Sequence, residues 1–207
     1  MSNGFIIKCI HSVVQTILNS EEEIESLDRA IGDGDHYINI KRGSMAVQSI
    51  ESELTNLPPD QAFKKIGMTL MTSVGGASGP LFASFFLALA KEIKSETNLQ
   101  QFSKGFTSGV KSIMDRGKSK LGDKTMLDVL IPVSEKLQLL ANEGCEKQEL
   151  IKEIDSIAMA GVIATKDMMP SKGRSAGLAE RAIGHIDPGA KTCQLIISTV
   201  CNELKLN

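Results

Sequence analysis

The sequence has 207 residues and a formal net charge of −2, with 42% hydrophobic and 23% charged residues. These values are typical of one soluble globular domain, and we predict a single domain over residues 1–207. No basic block is present, so the charge distribution gives no support for binding the phosphate backbone of a nucleic acid. No stretch reaches the roughly 18 apolar residues that a membrane-spanning helix needs, which predicts a cytoplasmic protein without a membrane partner.

Apolar residues recur at the helical spacing i, i+3, i+4 and i+7 along almost the whole chain, and runs of β-branched residues are short. In chain order, this pattern predicts helices over 5–18, 21–30, 38–54, 60–72, 80–94, 99–115, 125–140, 148–165 and 190–204. No segment has the pattern of a strand. The predicted fold is therefore all-α, a single-domain barrel or bundle of about eight principal amphipathic helices.

The cysteines have no CxxC spacing, and a domain of this length does not need disulfides to fold. We predict reduced thiols that pack as small hydrophobic side chains, which fits an intracellular compartment. These residues are Cys9, Cys145, Cys193 and Cys201.

The loops between the predicted helices contain glycine together with charged residues. Glycine at helix ends explains the individual glycines, but not the Asp, His and Arg residues beside them. In a helical bundle, the loops at one end can converge, and we expect a functional site there. His36 and His185 both lie in such loops, which favours a polar role for each. The loops span 28–36, 74–80, 116–124, 172–174 and 185–189.

The loop GDGDHYIN, residues 32–39, and Asp28 before it bring three carboxylates together: Asp28, Asp33 and Asp35. Carboxylate oxygens are preferred ligands of Mg²⁺ and Ca²⁺, and three uncompensated charges would repel each other. An EF-hand is rejected because Ile38 and Ser44 occupy the positions that need glycine and glutamate. This pattern favours Mg²⁺ bridging a phosphate, and the alternative is an exposed acidic turn that caps the next helix.

The stretch SVGGASGP, residues 73–80, can bring phosphate oxygens close to backbone N–H groups and to the start of the next helix. It matches neither the P-loop nor the dinucleotide-binding pattern. The alternative is close helix packing at small residues. Lys172 and Arg174 are candidates for phosphate contact, and the alternative for them is a solvated basic turn.

Taken together, four stretches resemble a known family, the ADP-binding L subunit of dihydroxyacetone kinase. They occur in the family's order and spacing and span most of the chain. The stretches are LDRAIGDGDHYINIKRG (27–43), GMTLMTSVGGASGPLF (67–82), RGKSKLGDKTMLDVLIPV (116–133) and KGRSAGLAERAIGHIDPGA (172–190). The resemblance implies a barrel of eight amphipathic helices with a nucleotide site in the loops at one end.

The resemblance also implies the residues of that site. Asp28, Asp33 and Asp35 would hold two Mg²⁺ ions that bridge the nucleotide phosphates, and Arg174 would assist the transfer. The implied nucleotide-site residues are His36, Tyr37, Ile38, Asn39, Ala77, Ser78, Gly117, Met126, Arg174, Asp187, Pro188 and Gly189.

In the function implied by the resemblance, bound ADP acts as a coenzyme. A phospho-histidine carrier protein, the M subunit, phosphorylates the Mg-bound ADP in place. The phosphoryl group then passes to dihydroxyacetone on a separate K subunit, without which this chain is an incomplete kinase. Alternatives are a non-catalytic nucleotide-sensing protein that binds K or a transcriptional regulator, and an L subunit that serves a kinase for a different small sugar.

Two departures from the family pattern are visible. The family usually has glycine at the position of Tyr37, and GRASYLGER where residues 173–181 read GRSAGLAER. We expect the bulky Tyr37 to reshape the rim of the site or to cover the nucleotide. The three aspartates, the glycine turn and Arg174 are intact, so nucleotide binding is expected to persist.

Overall fold

The computed structural model of the chain describes residues 3–76, 78–94 and 97–206. Within these ranges it contains α-helices, two 3₁₀ helices and no strand, which confirms the predicted all-α class. The 3₁₀ helices are Thr165–Asp167 and Arg174–Ala182, and the second is interrupted at Ala179, where the backbone is not helical. The α-helices are α1 (Asn3–Asn19), α2 (Glu21–Ile31), α3 (His36–Ser49), α4 (Glu51–Leu54), α5 (Pro59–Ser73), α6 (Ser78–Glu92), α7 (Leu99–Gly117), α8 (Leu127–Glu143), α9 (Lys147–Ala164) and α10 (Pro188–Leu206).

Two pairs of helices act as single segments of the barrel. Side chains of α1 and α2 contact α10 in one continuous antiparallel register, through Thr16 with Thr199 and Glu23 with Lys191. The short helix α4 adds one turn to α3 after a break at Ile50. The described chain therefore forms eight antiparallel segments, which agrees with the number of principal helices that the sequence predicts.

The eight segments close into a ring. Each segment packs against the next one along the chain, and α1 packs against both α3 and α10. Because successive segments run in opposite directions, the connections alternate between the two ends of the barrel. The connections around 32–35, 74–76, 118–126 and 165–187 consequently all lie at one end.

The inner faces of the helices are apolar. Side chains such as Ile17, Leu89 and Val133 are almost fully buried. The ring still encloses an apolar cavity of about 480 Å³, lined by side chains from all eight segments. The apolar stripes are thus buried against one another around this cavity, as the helical periodicity predicts.

The contact between α8 and α9 depends on an unusual pair of residues. Pro132 lies inside α8 and has no N–H to bond the carbonyl of Asp128 one turn earlier. Helix α9 approaches that carbonyl closely, because a Cβ atom on Gly161 would lie 2.5 Å from the Asp128 oxygen. Gly161 therefore lets the two helix backbones meet.

Most predicted helix boundaries differ from the structure by only a few residues, which is the usual uncertainty at helix ends. The main difference follows residue 172, where the sequence predicts a loop and the structure contains the 3₁₀ helix Arg174–Ala182. The four cysteines are free thiols, and Cys193 and Cys201 are buried. Among the described residues, no helix is both long enough and apolar enough to cross a membrane.

Candidate functional site

The three aspartates lie together at the end of the barrel where the glycine-containing connections meet. Asp28 belongs to the last turn of α2, and Asp33 and Asp35 belong to the connection to α3. One carboxylate oxygen from each residue lies within 4.8 Å of the others. Ligand oxygens about 2.1 Å from a Mg²⁺ ion have separations in this range, so the donor set fits a hard divalent cation.

The local structure fixes the first of these carboxylates. Asp28 is buried, and its Oδ2 accepts a hydrogen bond of 2.9 Å from the backbone N–H of His36. A Cβ atom at Gly32 would overlap with Oδ1 of Asp28, so glycine is required at that position. An exposed acidic turn does not explain why Asp28 is buried or why position 32 must be glycine.

His36 connects this loop to α10. Its Nε2 lies 2.9 Å from Oγ1 of Thr192, and that hydroxyl donates to the carbonyl of Pro188 at 2.9 Å. Since the hydroxyl hydrogen is already used, the hydroxyl oxygen accepts from Nε2–H of the ring. Burial lowers the pKa of His36, and the nearby carboxylates of Asp28 and Asp35 oppose this shift.

Tyr37 does not cover the site, contrary to the expectation from sequence. Its side chain is 3% exposed and packs with Ile17 and Ile24 between α3 and the α1–α2 segment. The hydroxyl donates to Glu21 at 3.0 Å, and these surroundings raise the pKa of Tyr37 to about 12. The residue at this position therefore turns away from the mouth of the site, whereas its neighbour Ile38 is exposed.

The glycine turn between α5 and α6 lies beside the acidic loop. Gly76 has a φ of +66°, and a Cβ atom there would lie 3.6 Å from Nδ2 of Asn39 and 4.0 Å from Oδ2 of Asp35. Ser78 begins α6, and its hydroxyl donates to the carbonyl of Gly75 at 3.3 Å. Ala77, a predicted nucleotide-site residue, lies outside the described residues.

Close packing at small residues also applies to this turn. A Cβ atom on Gly79 would overlap with the carbonyl of Val74, so the start of α6 is packed tightly against the end of α5. The two interpretations of SVGGASGP therefore hold for different residues. Gly79 serves helix packing, and Gly76 borders the space beside the acidic loop.

Arg174 comes from the other side of the site. Its Nε lies 3.1 Å from Oδ2 of Asp33, and both side chains are largely exposed. The long connection between α9 and α10 thus brings a guanidinium group to the acidic loop. Lys172, its neighbour in the same connection, is exposed to solvent.

A second group of predicted residues forms a wall beside this cluster. A Cβ atom on Gly189 would lie 3.8 Å from the Cβ of Met126 and 3.1 Å from Oδ2 of Asp187. Asp187 is buried and accepts from the backbone N–H of Ala190 at 2.7 Å. Burial raises the pKa of this carboxyl to about 7. Gly117 ends α7, where a Cβ atom would lie 3.5 Å from Cδ2 of Leu81.

A buried lysine that the sequence analysis did not single out joins two connections of this site. Lys124 is fully buried and has a φ of +60°. Its Nζ donates to the carbonyls of Thr165 at 2.6 Å and His185 at 2.7 Å. Through these two hydrogen bonds, the side chain holds the α7–α8 connection against the α9–α10 connection. Burial lowers the pKa of Lys124, and the nearby Asp187 opposes this shift.

Comparisons with known proteins agree with this geometry. Residues 30–202 match the family model described as the DAK2 domain. The chain is 35% identical over 209 residues to a protein of Listeria innocua, which covers 99% of this chain and 96% of that protein. That relative is named the ADP-binding subunit of PEP-dependent dihydroxyacetone kinase 2.

Two further proteins extend the comparison. The ADP-binding subunit of the PEP-dependent dihydroxyacetone kinase of Escherichia coli is 38% identical over 192 residues, or 91% of each chain. The crystal structure of the dihydroxyacetone kinase of C. freundii in complex with AMP-PNP and Mg²⁺ matches 98% of this chain with a TM-score of 0.76 and 22% identity. The match covers 34% of that longer chain, and it shows that the barrel fold is shared.

Proposed function

Because this chain belongs to the DAK2 domain family, we propose that it is the ADP-binding subunit of a PEP-dependent dihydroxyacetone kinase. One structural observation carries this proposal. Three carboxylates lie within 4.8 Å of one another, with Arg174 on one side and the glycine turn on the other. This arrangement brings together cation ligands, a guanidinium group and backbone N–H donors. These are the groups that hold a nucleoside diphosphate with Mg²⁺.

We assign the metal-binding role to Asp28, Asp33 and Asp35, for two Mg²⁺ ions. When bound, these ions neutralise and orient the phosphates of the nucleotide. The backbone N–H of His36 orients the Asp28 carboxylate through its Oδ2. Asp33 and Asp35 are more exposed and face the space where the phosphates would lie.

The remaining residues of the site position the nucleotide. The backbone N–H groups of the glycine turn and of the first turn of α6 are donors for phosphate oxygens. Met126 supplies an apolar surface for the base, beside the turn Asp187–Gly189. Arg174 has a flexible, exposed side chain that can leave Asp33 and follow a phosphoryl group during transfer.

In the proposed reaction, a phospho-histidine carrier protein donates its phosphoryl group to the terminal phosphate of the bound ADP. In this first transfer the P–N bond of the carrier's phospho-histidine breaks. The phosphoryl group would then pass to a hydroxyl oxygen of dihydroxyacetone held on a K subunit, where the new P–O bond forms as the bond to ADP breaks and the hydroxyl proton is released. The relatives' dependence on PEP supports a carrier, the M subunit, as the donor. A transcriptional regulator as a further partner and a location in the cytoplasm stay predictions.

Reconstitution of the transfer tests this function. The chain, preloaded with Mg·ADP, is mixed with the K and M subunits of the E. coli relative's system, PEP and the upstream carrier proteins, and dihydroxyacetone phosphate is measured. We expect product only when the chain and the carrier are both present. Tight binding of the chain to K with no product under any donor, ATP included, would contradict the proposal and favour a nucleotide-sensing role.

A further inference from the structure

Arg42 contacts Asn39, one of the predicted nucleotide-site residues. It lies one turn after Asn39 on α3, and its Nη2 donates to Oδ1 of Asn39 at 2.5 Å. Residues at i and i+3 on a helix are neighbours, so this contact needs no distortion of α3. Asn39 is buried at 5% exposure, whereas Arg42 is exposed.

The chemistry of this contact fixes the orientation of the Asn39 amide. A guanidinium group has only donors, so the amide atom next to Arg42 must be the oxygen. The amide nitrogen then lies on the side of Gly76, where a Cβ atom would be 3.6 Å from Nδ2 and 4.0 Å from Oδ2 of Asp35. Both N–H donors of Asn39 consequently face the space between the glycine turn and the acidic loop.

The glycine turn packs against the contact between Arg42 and Asn39. A Cβ atom on Gly75 would lie 2.5 Å from Oδ1 of Asn39 and would overlap with Nη2 of Arg42. The backbone of the glycine turn therefore rests directly on the Arg42–Asn39 pair. The contact between Arg42 and Asn39 thus lies where α3 meets the glycine turn.

We propose that Arg42 is a positioning residue for nucleotide binding, which acts by holding the Asn39 amide with its donors toward the phosphates. This inference rests on the proposed function. Without Arg42, the amide can rotate by half a turn and present its oxygen, an acceptor, to an anion. Arg42 thus fixes the Asn39 amide so that its N–H donors, and not its oxygen, face the phosphates.

A direct charge effect of Arg42 on the phosphates is the competing explanation, and a double-mutant cycle separates the two. If Arg42 acts through Asn39, removing it from a protein that already lacks the Asn39 amide has little further effect. If it acts by its own charge, the two losses multiply. The variants are Arg42→Met, Asn39→Ala and the double variant.

The experiment is isothermal titration calorimetry of the metal-free, nucleotide-free protein with ADP in excess Mg²⁺. We expect each single variant to bind about tenfold more weakly, the loss that corresponds to one hydrogen bond to a charged group. The double variant is expected to match Asn39→Ala alone. Arg42→Lys is expected to recover part of the affinity, because lysine also has only donors.

Lys65→Met is the matched control, because it removes one partly exposed cation from α5 that pairs with Glu53 of α4 instead of contacting the site. It should bind Mg·ADP as the wild type does, and all variants should keep the wild-type melting temperature without nucleotide. The inference about Arg42 would be overturned if the losses of Mg·ADP affinity in the two single variants multiplied in the double variant. Wild-type affinity in Arg42→Met would overturn it too, and neither result would touch the proposed function. A wild-type protein that does not bind Mg·ADP would overturn the proposed function as well.

Discussion

Asp28, Asp33 and Asp35 repel one another in the absence of a cation, because three carboxylate oxygens lie within 4.8 Å. Asp28 differs from the other two, since it is buried and bonded to the backbone of His36. Its replacement would disturb the fold as well as the metal site. Asp33 and Asp35 are more accessible, and their replacement separates metal binding from folding.

We predict that Asp33→Ala or Asp35→Ala abolishes Mg²⁺-dependent retention of ADP. The loss of affinity should be at least the roughly 10–100-fold that removal of a supporting residue costs a metal site. The melting temperature without metal should stay the same or rise, because repulsion is relieved. Calorimetric titration with Mg·ADP measures the affinity, and Asp60→Ala, at the far end of the barrel, is the control. Wild-type affinity in both variants would refute the metal assignment.

Arg174 contributes little to stability in the state without nucleotide. Its ion pair with Asp33 is largely exposed, and such pairs contribute about 0–1 kcal/mol. Its position at the acidic loop instead suits stabilisation of charge during transfer. The guanidinium group is most useful where negative charge develops, which is a property of the transition state rather than of bound ADP.

We therefore predict that Arg174→Ala lowers the rate of phosphoryl transfer by about 10²–10³-fold, the usual cost of losing one transition-state donor. The affinity for Mg·ADP should change much less, and the melting temperature should not change. The rate is measured in the reconstituted assay, with Arg181→Ala in the same 3₁₀ helix as the control. Equal transfer rates in Arg174→Ala and wild type would remove this role.

At the level of single residues, the sequence predicts those whose chemistry is unusual for their surroundings. Carboxylates among glycines, as in GDGDH, stand out without a structure. Arg42 does not, because it lies inside a regular helical pattern and its role depends on its contact with Asn39. The burial of Tyr37 is equally invisible, since a tyrosine in the first turn of a helix can face inward or outward.

Among the elements, the long connections between helices depend on Lys124. A left-handed backbone costs a residue other than glycine about 1–3 kcal/mol, and burying an ammonium group adds to that cost. The lysine is nevertheless held there, with its Nζ bonded to the carbonyls of Thr165 and His185. Those carbonyls lie at the two ends of the connection between α9 and α10, so the ammonium group links these ends to the α7–α8 connection. The carbonyl of Thr165 also accepts from the backbone N–H of Met168 at 3.3 Å.

We predict that Lys124→Met destabilises the protein by about 2–4 kcal/mol, because it removes the Nζ donor from the carbonyls of Thr165 and His185. Urea unfolding followed by circular dichroism measures the change. Lys118→Met is a closely matched control, since Lys118 also has a left-handed φ of 50° but is exposed. Equal midpoints for Lys124→Met and Lys118→Met would show that the buried ammonium group does not hold the connections together.

The existence of the helices could be predicted from periodicity, and their termini only approximately. The break at Ile50 between α3 and α4 has no proline or glycine to mark it. The 3₁₀ helix Arg174–Ala182 contains Ala179 at a φ of +49°, a conformation that no rule would assign to alanine. Both features result from tertiary contacts, which override the weak local preferences of these residues.

For the whole molecule, the order of the helices explains the place of the site. Eight antiparallel segments in a ring put every second connection at the same end, so residues far apart in sequence meet there. The sequence predicts this end because the unusual loops occur at every second connection. It does not predict the cavity of about 480 Å³ inside the ring, since periodicity shows which faces are buried but not how far apart the helices stand.

The central claim is that the end of this barrel holds ADP together with two Mg²⁺ ions, which makes the chain a phosphoryl-transfer subunit. Native mass spectrometry of the purified protein tests it most directly, first with Mg²⁺ retained and then after chelation. We predict an added mass equal to ADP plus two Mg²⁺, which disappears on chelation and returns when Mg²⁺ and ADP are supplied. A protein that carries no nucleotide and takes up none from added Mg·ADP would contradict the claim.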